Sequence, residues 1–88
     1  HGLIGLTKSM SVELAQYNIN VNCIAPGFID TDLLHRACYD MKTIKSRIPK
    51  HEVGKPVDLL GTVFYLCSEA SRYVTGVTIP VDGGWLAR

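Results

Sequence analysis

Along the 88 residues, apolar side chains recur first at helical and then at alternating spacing. In HGLIGLTKSMSVELAQY, Leu3, Leu6, Met10 and Leu14 follow one another at three, four and four residues, which predicts a helix over residues 1–16 with one apolar face. A second stripe of small residues, Gly2, Gly5, Ser9 and Val12, runs beside it. Glycine inside a helix costs about 1 kcal/mol relative to alanine, so the pair implies close approach of another helix or a ligand. Tyr17-Asn18 ends the helix, asparagine being able to take the left-handed conformation.

INVNCIA alternates Ile19, Val21, Cys23 and Ala25 against Asn20, Asn22 and Ile24 and predicts a mostly buried strand stopped by Pro26. From an N-cap at Asp30 or Thr31, Leu34, Ala37, Met41, Ile44 and Ile48 predict one amphipathic helix, broken by Pro49 and Gly54. Pro56 suits the first position of a further helix, with Asp58 in its first turn and Leu60, Val63, Phe64 and Cys67 on its apolar face. In VTIPV, Val77, Ile79 and Val81 alternate. Pro80 donates no ladder hydrogen bond, so this strand belongs at an edge. Asp82-Gly83-Gly84 reads as a turn and WLAR as a helix-free tail.

The order helix, strand, helix, helix, strand places the chain in the α/β class. A strand, a helical crossover and a second strand form a right-handed βαβ unit of a parallel sheet. Two strands cannot bury both sheet faces and three helical stripes, so something beyond these elements is expected to complete the fold.

A net charge of +1, with 47% hydrophobic and 19% charged residues, describes a folded soluble protein. It offers no basic stripe for nucleic acid, and no apolar run approaches a membrane span. Cys23, Cys38 and Cys67 are too scattered for a disulfide framework. His35 and Cys38 share a helical spacing, but two ligands fall short of the four a structural zinc site takes, so no metal is expected. Reduced thiols in a cytoplasmic protein are the plain reading. The chain opens at His1 already in helical pattern without a capping residue, which suggests a piece of a longer protein.

The stretch CIAPGFIDTDLL leaves two readings open. Pro26-Gly27 is either an ordinary tight turn or a ledge for a flat, partly polar molecule. A glycine lets backbone approach closely, a proline stiffens that approach, and Phe28 and Ile29 add apolar surface.

With these segments in order, the chain resembles the short-chain dehydrogenase/reductases. VNCIAPGFIDTDL is similar to the family's Asn-x-x-x-Pro-Gly-x-x-x-Thr segment, HGLIGLTKSMSVELA to the helix after its Tyr-x-x-x-Lys motif, and YVTGVTIPVDGG to its last strand and turn. The resemblance implies the C-terminal part of a Rossmann-like, doubly wound oxidoreductase domain over residues 1–88, the dinucleotide-binding part absent. It implies NAD or NADP as coenzyme, held at Pro26, Gly27, Phe28, Ile29 and Thr31, with the Ile29 backbone and the Thr31 hydroxyl meeting the carboxamide and Asn22 bracing the backbone. The catalytic Asn, Ser, Tyr and Lys are expected upstream of His1, so this chain holds no catalytic residue and by itself is expected to be inactive, loosely folded and unable to bind NADH.

A small-molecule substrate is implied, a secondary alcohol or ketone, with a sugar acid such as a gluconate the nearest likeness and a 3-oxoacyl thioester of acyl carrier protein the alternative. The partners implied are the rest of the domain and further copies of the subunit, through the first helix and last strand. His35, Arg36, Lys42, Lys45 and Arg47 are either a solvated face or, in the family's substrate lid, a contact for an anionic group. A different class stays open: a stand-alone assembly module with no catalysis of its own.

Overall fold

The computed structural model describes residues 1–37 and 40–88. Its elements are α1 (Gly2–Leu14), β1 (Cys23–Pro26), α2 (Asp32–Arg36), α3 (Met41–Arg47), α4 (Leu60–Leu66) and β2 (Thr78–Val81). Short 3-10 turns occupy Ala15–Tyr17, Pro56–Leu59, Glu69–Ser71 and Trp85–Ala87. β1 and β2 pair in parallel as a two-stranded sheet, the α/β arrangement expected. No described helix is long and apolar enough to cross a membrane.

The chain forms two compact units, one of His1–Ile24 with Gly61–Ile79 and the other of Ala25–Leu60 with Pro80–Arg88. In the first, α1 ends where Asn18 turns left-handed at φ 60°, as its side chain suggested. The apolar stripe does not face inward, however: Leu3 is 64% and Leu6 54% exposed, while Thr7 and Ser11 are buried. Their hydroxyls donate to their own helix, Thr7 Oγ1 to the Leu3 carbonyl and Ser11 Oγ to that of Lys8, each at 2.7 Å. Burying a hydroxyl is tolerable because each is satisfied this way. Gly2 and Gly5 face open space, so nothing among the described residues uses their smallness.

The expected strand over residues 19–25 begins only at Cys23 and includes Pro26. The reason is that the preceding residues are held by other bonds. Asn20 Nδ2 donates to the carbonyls of Ser71 and Arg72, and the Val21 N–H donates to Thr75 Oγ1. Asn22 is the backbone brace expected, donating to the Val74 carbonyl at 3.0 Å and accepting from the Val77 N–H at 3.2 Å. The ladder starts with the Cys23 N–H on the Val77 carbonyl.

In the second unit, the amphipathic helix expected from residue 31 to residue 48 is two helices. Thr31 caps α2, its Oγ1 accepting the Leu34 N–H, and Asp40 starts α3 by accepting the Lys42 N–H. Cys38 lies outside the described residues, and with it the His35–Cys38 pair. Leu34, Ile44 and Ile48 nevertheless converge in one cluster, joined by the half-buried Phe28, Met41, Val53 and Trp85. Pro56 opens its helical segment as expected, but as a 3-10 turn before α4, with the Asp58 carboxylate accepting the Lys55 N–H at 2.7 Å. The tail is also helical: Trp85–Ala87 forms a 3-10 turn after Gly83 and Gly84, both at positive φ.

Candidate functional site

The ledge begins where β1 ends. The Gly27 N–H continues the ladder to the Val81 carbonyl at 3.0 Å. A Cβ on Gly27 would lie 2.8 Å from Asp82 Cβ and 2.9 Å from its Cα, so glycine is required here by the close passage of the neighbouring strand's end. Phe28 follows, its ring meeting Trp85 edge-on at 5.2 Å and 78°.

Ile29 forms a parallel bridge with Gly54. The bridge uses the Phe28 carbonyl, which accepts the Gly54 N–H at 2.9 Å, and the Asp30 N–H, which donates to the Gly54 carbonyl at 2.7 Å. In a parallel bridge the central residue's own N–H and carbonyl point the other way. Ile29 therefore presents one donor and one acceptor away from Gly54. Thr31 keeps its hydroxyl hydrogen, because the cap bond uses Oγ1 only as acceptor.

Three cavities adjoin this segment, and Phe28 lines all of them. One of about 420 Å³ has mixed walls, with Lys50, Glu52, Asp58 and Asp82 beside the apolar Phe28, Ile29 and Val81. Another of about 340 Å³ is more apolar, between Ala25, Pro26, Gly27 and the Trp85–Leu86 tail. The smallest, about 220 Å³, is bounded by Asp40, Thr43, Ile44, Arg47 and Trp85. The five residues expected on the ledge thus do not share one cavity. Pro26 and Gly27 line one, Ile29 another, and Thr31 none of the three.

The electrostatics are local. His35 Nε2 lies 2.7 Å from Asp30 Oδ1 on the exposed side of α2. Lys45 and Arg47 occupy the last turn of α3, where the helix dipole favours cations. The Thr43 hydroxyl, 2.8 Å from Asp40, together with the Lys42 N–H holds the Asp40 carboxyl below its ordinary range. No group of three or more possible metal ligands occurs among the described residues.

Asp82-Gly83-Gly84 forms the turn its residues predict, and what the sequence did not show is that the turn sets Trp85 against Phe28. Asp82 accepts the N–H groups of Gly84 and Leu86 at 3.0 and 3.2 Å, fixing the turn that carries Trp85 against Phe28. The signal was present: an aspartate directly before a glycine pair commonly accepts the N–H two residues on and fixes its own turn, and the tryptophan after it had to lie somewhere.

The family described as enoyl-(acyl carrier protein) reductase matches residues 1–86. The chain is 48% identical to 2-dehydro-3-deoxy-D-gluconate 5-dehydrogenase of Escherichia coli over 99% of its own length and 36% of that protein. It is 45% identical to the 3-oxoacyl-[acyl-carrier-protein] reductase FabG of Aquifex aeolicus over 94% of the chain and 34% of the relative. A crystal structure from Agrobacterium tumefaciens, named as a 2-deoxy-D-gluconate 3-dehydrogenase with bound NADP, superposes with a TM-score of 0.92 at 45% identity, covering 100% of this chain and 37% of that one. The chain thus spans about a third of the length of the curated relatives it matches. From the ledge at the end of a parallel strand to the turn that closes over it, the chain belongs to the short-chain dehydrogenase/reductase family.

Proposed function

We propose that these residues form the C-terminal part of an NAD- or NADP-dependent oxidoreductase, and that the segment from Pro26 to Thr31 is the shelf for the nicotinamide ring. The observation that carries this reading is the chemistry left over at Ile29 and Thr31. The Ile29 backbone offers one donor and one acceptor outside its bridge, and Thr31 offers a hydroxyl hydrogen. A primary carboxamide asks for that set, one acceptor for its N–H and donors for its oxygen. The Pro26 ring and the apolar cavity beside it suit the flat face of the ring. Bound there, an oxidised coenzyme would accept the hydride that an alcohol carbon gives up, and a reduced one would donate a hydride to a carbonyl carbon. The chain's own contribution is to orient the ring and keep water from one side of it.

The coenzyme's phosphates find no Gly-x-Gly-x-x-Gly loop in the sequence, and no Tyr-x-x-x-Lys is present. Both functions belong, in this reading, to residues preceding His1, and the 88 residues alone are inactive. The exposed apolar side chains Leu3 and Leu6 on α1 and Leu60 and Phe64 on α4 are then surfaces for the rest of the domain and for a second subunit. A cytoplasmic homo-oligomer is the form we propose.

A sugar acid such as a gluconate is the proposed substrate, supported by the 48% identity to a gluconate-type dehydrogenase. The FabG relative at 45% identity favours a second reading, reduction of 3-oxoacyl thioesters. Steady-state assays of the full-length protein separate them. Oxidation of gluconate-type acids with NAD or NADP is the expected result, and turnover confined to 3-oxoacyl thioesters with the reduced coenzyme selects the alternative. Absence of nucleotide binding together with absence of turnover on both substrates overturns the whole reading.

A further inference from the structure

We infer that Trp85, clamped by Arg88, is a positioning residue that sets Phe28 and through it the coenzyme shelf; the inference rests on the functional reading above. Trp85, the one tryptophan of the sequence, is held from three directions. Its ring meets Phe28 at 5.2 Å in a near-perpendicular arrangement, the geometry aromatic pairs prefer. The Arg88 guanidinium carbon sits 3.6 Å from its centroid, well inside cation–π range. Below, the ring packs against the cluster of Leu34, Ile44 and Ile48. The turn that presents it is fixed in turn by the two N–H groups on the Asp82 carboxylate.

This clamp acts at the shelf because Phe28 is the residue between Gly27 and Ile29. Phe28 and Trp85 are common to the walls of the 340 Å³ and 220 Å³ cavities. Without the indole the two spaces merge, and the Phe28 ring gains room to leave its place. A shelf whose side wall moves binds the ring less tightly in ground state and transition state alike. That signature is a raised KM for the nucleotide with kcat largely preserved.

The test uses the full-length protein, with nucleotide KM and kcat measured for Trp85→Ala, Trp85→Phe, Arg88→Ala, Arg88→Lys and Phe28→Ala. Trp85→Ala is expected to raise the nucleotide KM roughly five- to tenfold, the worth of one edge-to-face pair, and to change kcat less than about twofold. Trp85→Phe restores most of the loss. Arg88→Ala moves KM in the same direction by about twofold, and Arg88→Lys, which keeps the cation, reverses it. In a Phe28→Ala background, Trp85→Ala adds nothing further to KM, because the effect passes through the missing ring.

A merely structural role would instead lower the amount of active enzyme, so kcat would fall with KM unmoved. That result, or full additivity with Phe28→Ala, overturns the inference. If Trp85→Ala does not fold, the Trp85→Phe and Arg88 pairs carry the same comparison, and unchanged nucleotide KM in Arg88→Ala overturns it. Failure of the wild-type protein to bind or use either nucleotide removes the functional reading first and this inference with it, before any variant is made.

Discussion

Among the described residues, the buried positions of the first unit are Thr7, Ser11 and Ser71 beside Cys23, whereas those of the second are Leu34, Ile44 and Ile48. The hydroxyls of the first unit fix geometry. Ser71, only 1% exposed, directs its hydroxyl to the carbonyls of Leu66 and Ser68, and Ser11 lies directly under Gly76. Such bonds are worth about 1 kcal/mol each and give backbone segments room to come close. The aliphatic side chains of the second unit supply transfer free energy instead, about 1.5–3 kcal/mol for each one fully buried. The contrast teaches that the first unit is specified by directed bonds while Leu3, Leu6 and Phe64 face outward, and that the second carries a core of its own beneath the ledge.

The largest expected effect probes the core. Ile48→Ala in the full-length protein is expected to cost about 2–5 kcal/mol in chemical denaturation, since Ile48 is 2% exposed. Leu6→Ala sharpens the comparison. If a partner surface covers α1 as proposed, it costs more than about 1 kcal/mol, and a value within about 0.5 kcal/mol of zero would mean that the stripe stays in water.

Next comes the directed packing of the first unit. Gly76 has φ +78°, and a Cβ there would lie 2.7 Å from Ser11 Oγ. Gly76→Ala is expected to cost about 2–3 kcal/mol. Adding Ser11→Ala relieves the contact but leaves the left-handed backbone, so roughly 1 kcal/mol of the loss remains. Complete recovery in the double variant would show that the contact alone mattered.

The smallest effect is electrostatic. The carboxyl of Asp40 titrates below its ordinary value of 3.8, lowered by Thr43 and the Lys42 N–H. A group whose folded pKa is depressed contributes stability above its unfolded pKa and loses it as pH falls through the folded one. The Tm deficit of Asp40→Asn is therefore expected to be present at pH 7 and to shrink below about pH 4. A deficit equal at both pH values would mean that the cap works without its charge.

Much of this was legible because local chemistry and tertiary structure agree at the places concerned. Asn18 turned left-handed, Thr31 capped a helix, Asn22 braced the backbone, and Asp82-Gly83-Gly84 formed a turn, each using a property of its own side chain or backbone. Periodicity locates the apolar stripe of α1, which stays exposed as expected, but it does not say which face this chain turns inward. The stripe of Leu3, Leu6 and Met10 has helical spacing, yet the face turned inward carries Thr7 and Ser11, because close backbone approach excludes larger groups there. The run from Leu34 to Ile48 kept its spacing across a helix break, and Asp40 with its cap to Lys42 was the one local sign of a new start. At the ledge, the residue types were readable but Gly27 has a reason the sequence did not show: Asp82 occupies the space its side chain would need. Trp85 and Arg88 stack only because the Asp82 turn folds back, a long-range event no short window contains.

The bridge between Ile29 and Gly54 bears on how selective such a ledge can be. Two main-chain bonds tether the segment from Phe28 to Asp30 to the backbone at Gly54, so shifting it to suit an ill-fitting guest means breaking both. If it holds the coenzyme ring as proposed, a surface made this stiff discriminates by shape already in place and incurs little ordering entropy when it is occupied. Adaptation to different molecules must then come from side chains around its rim, while the main chain serves as a fixed template.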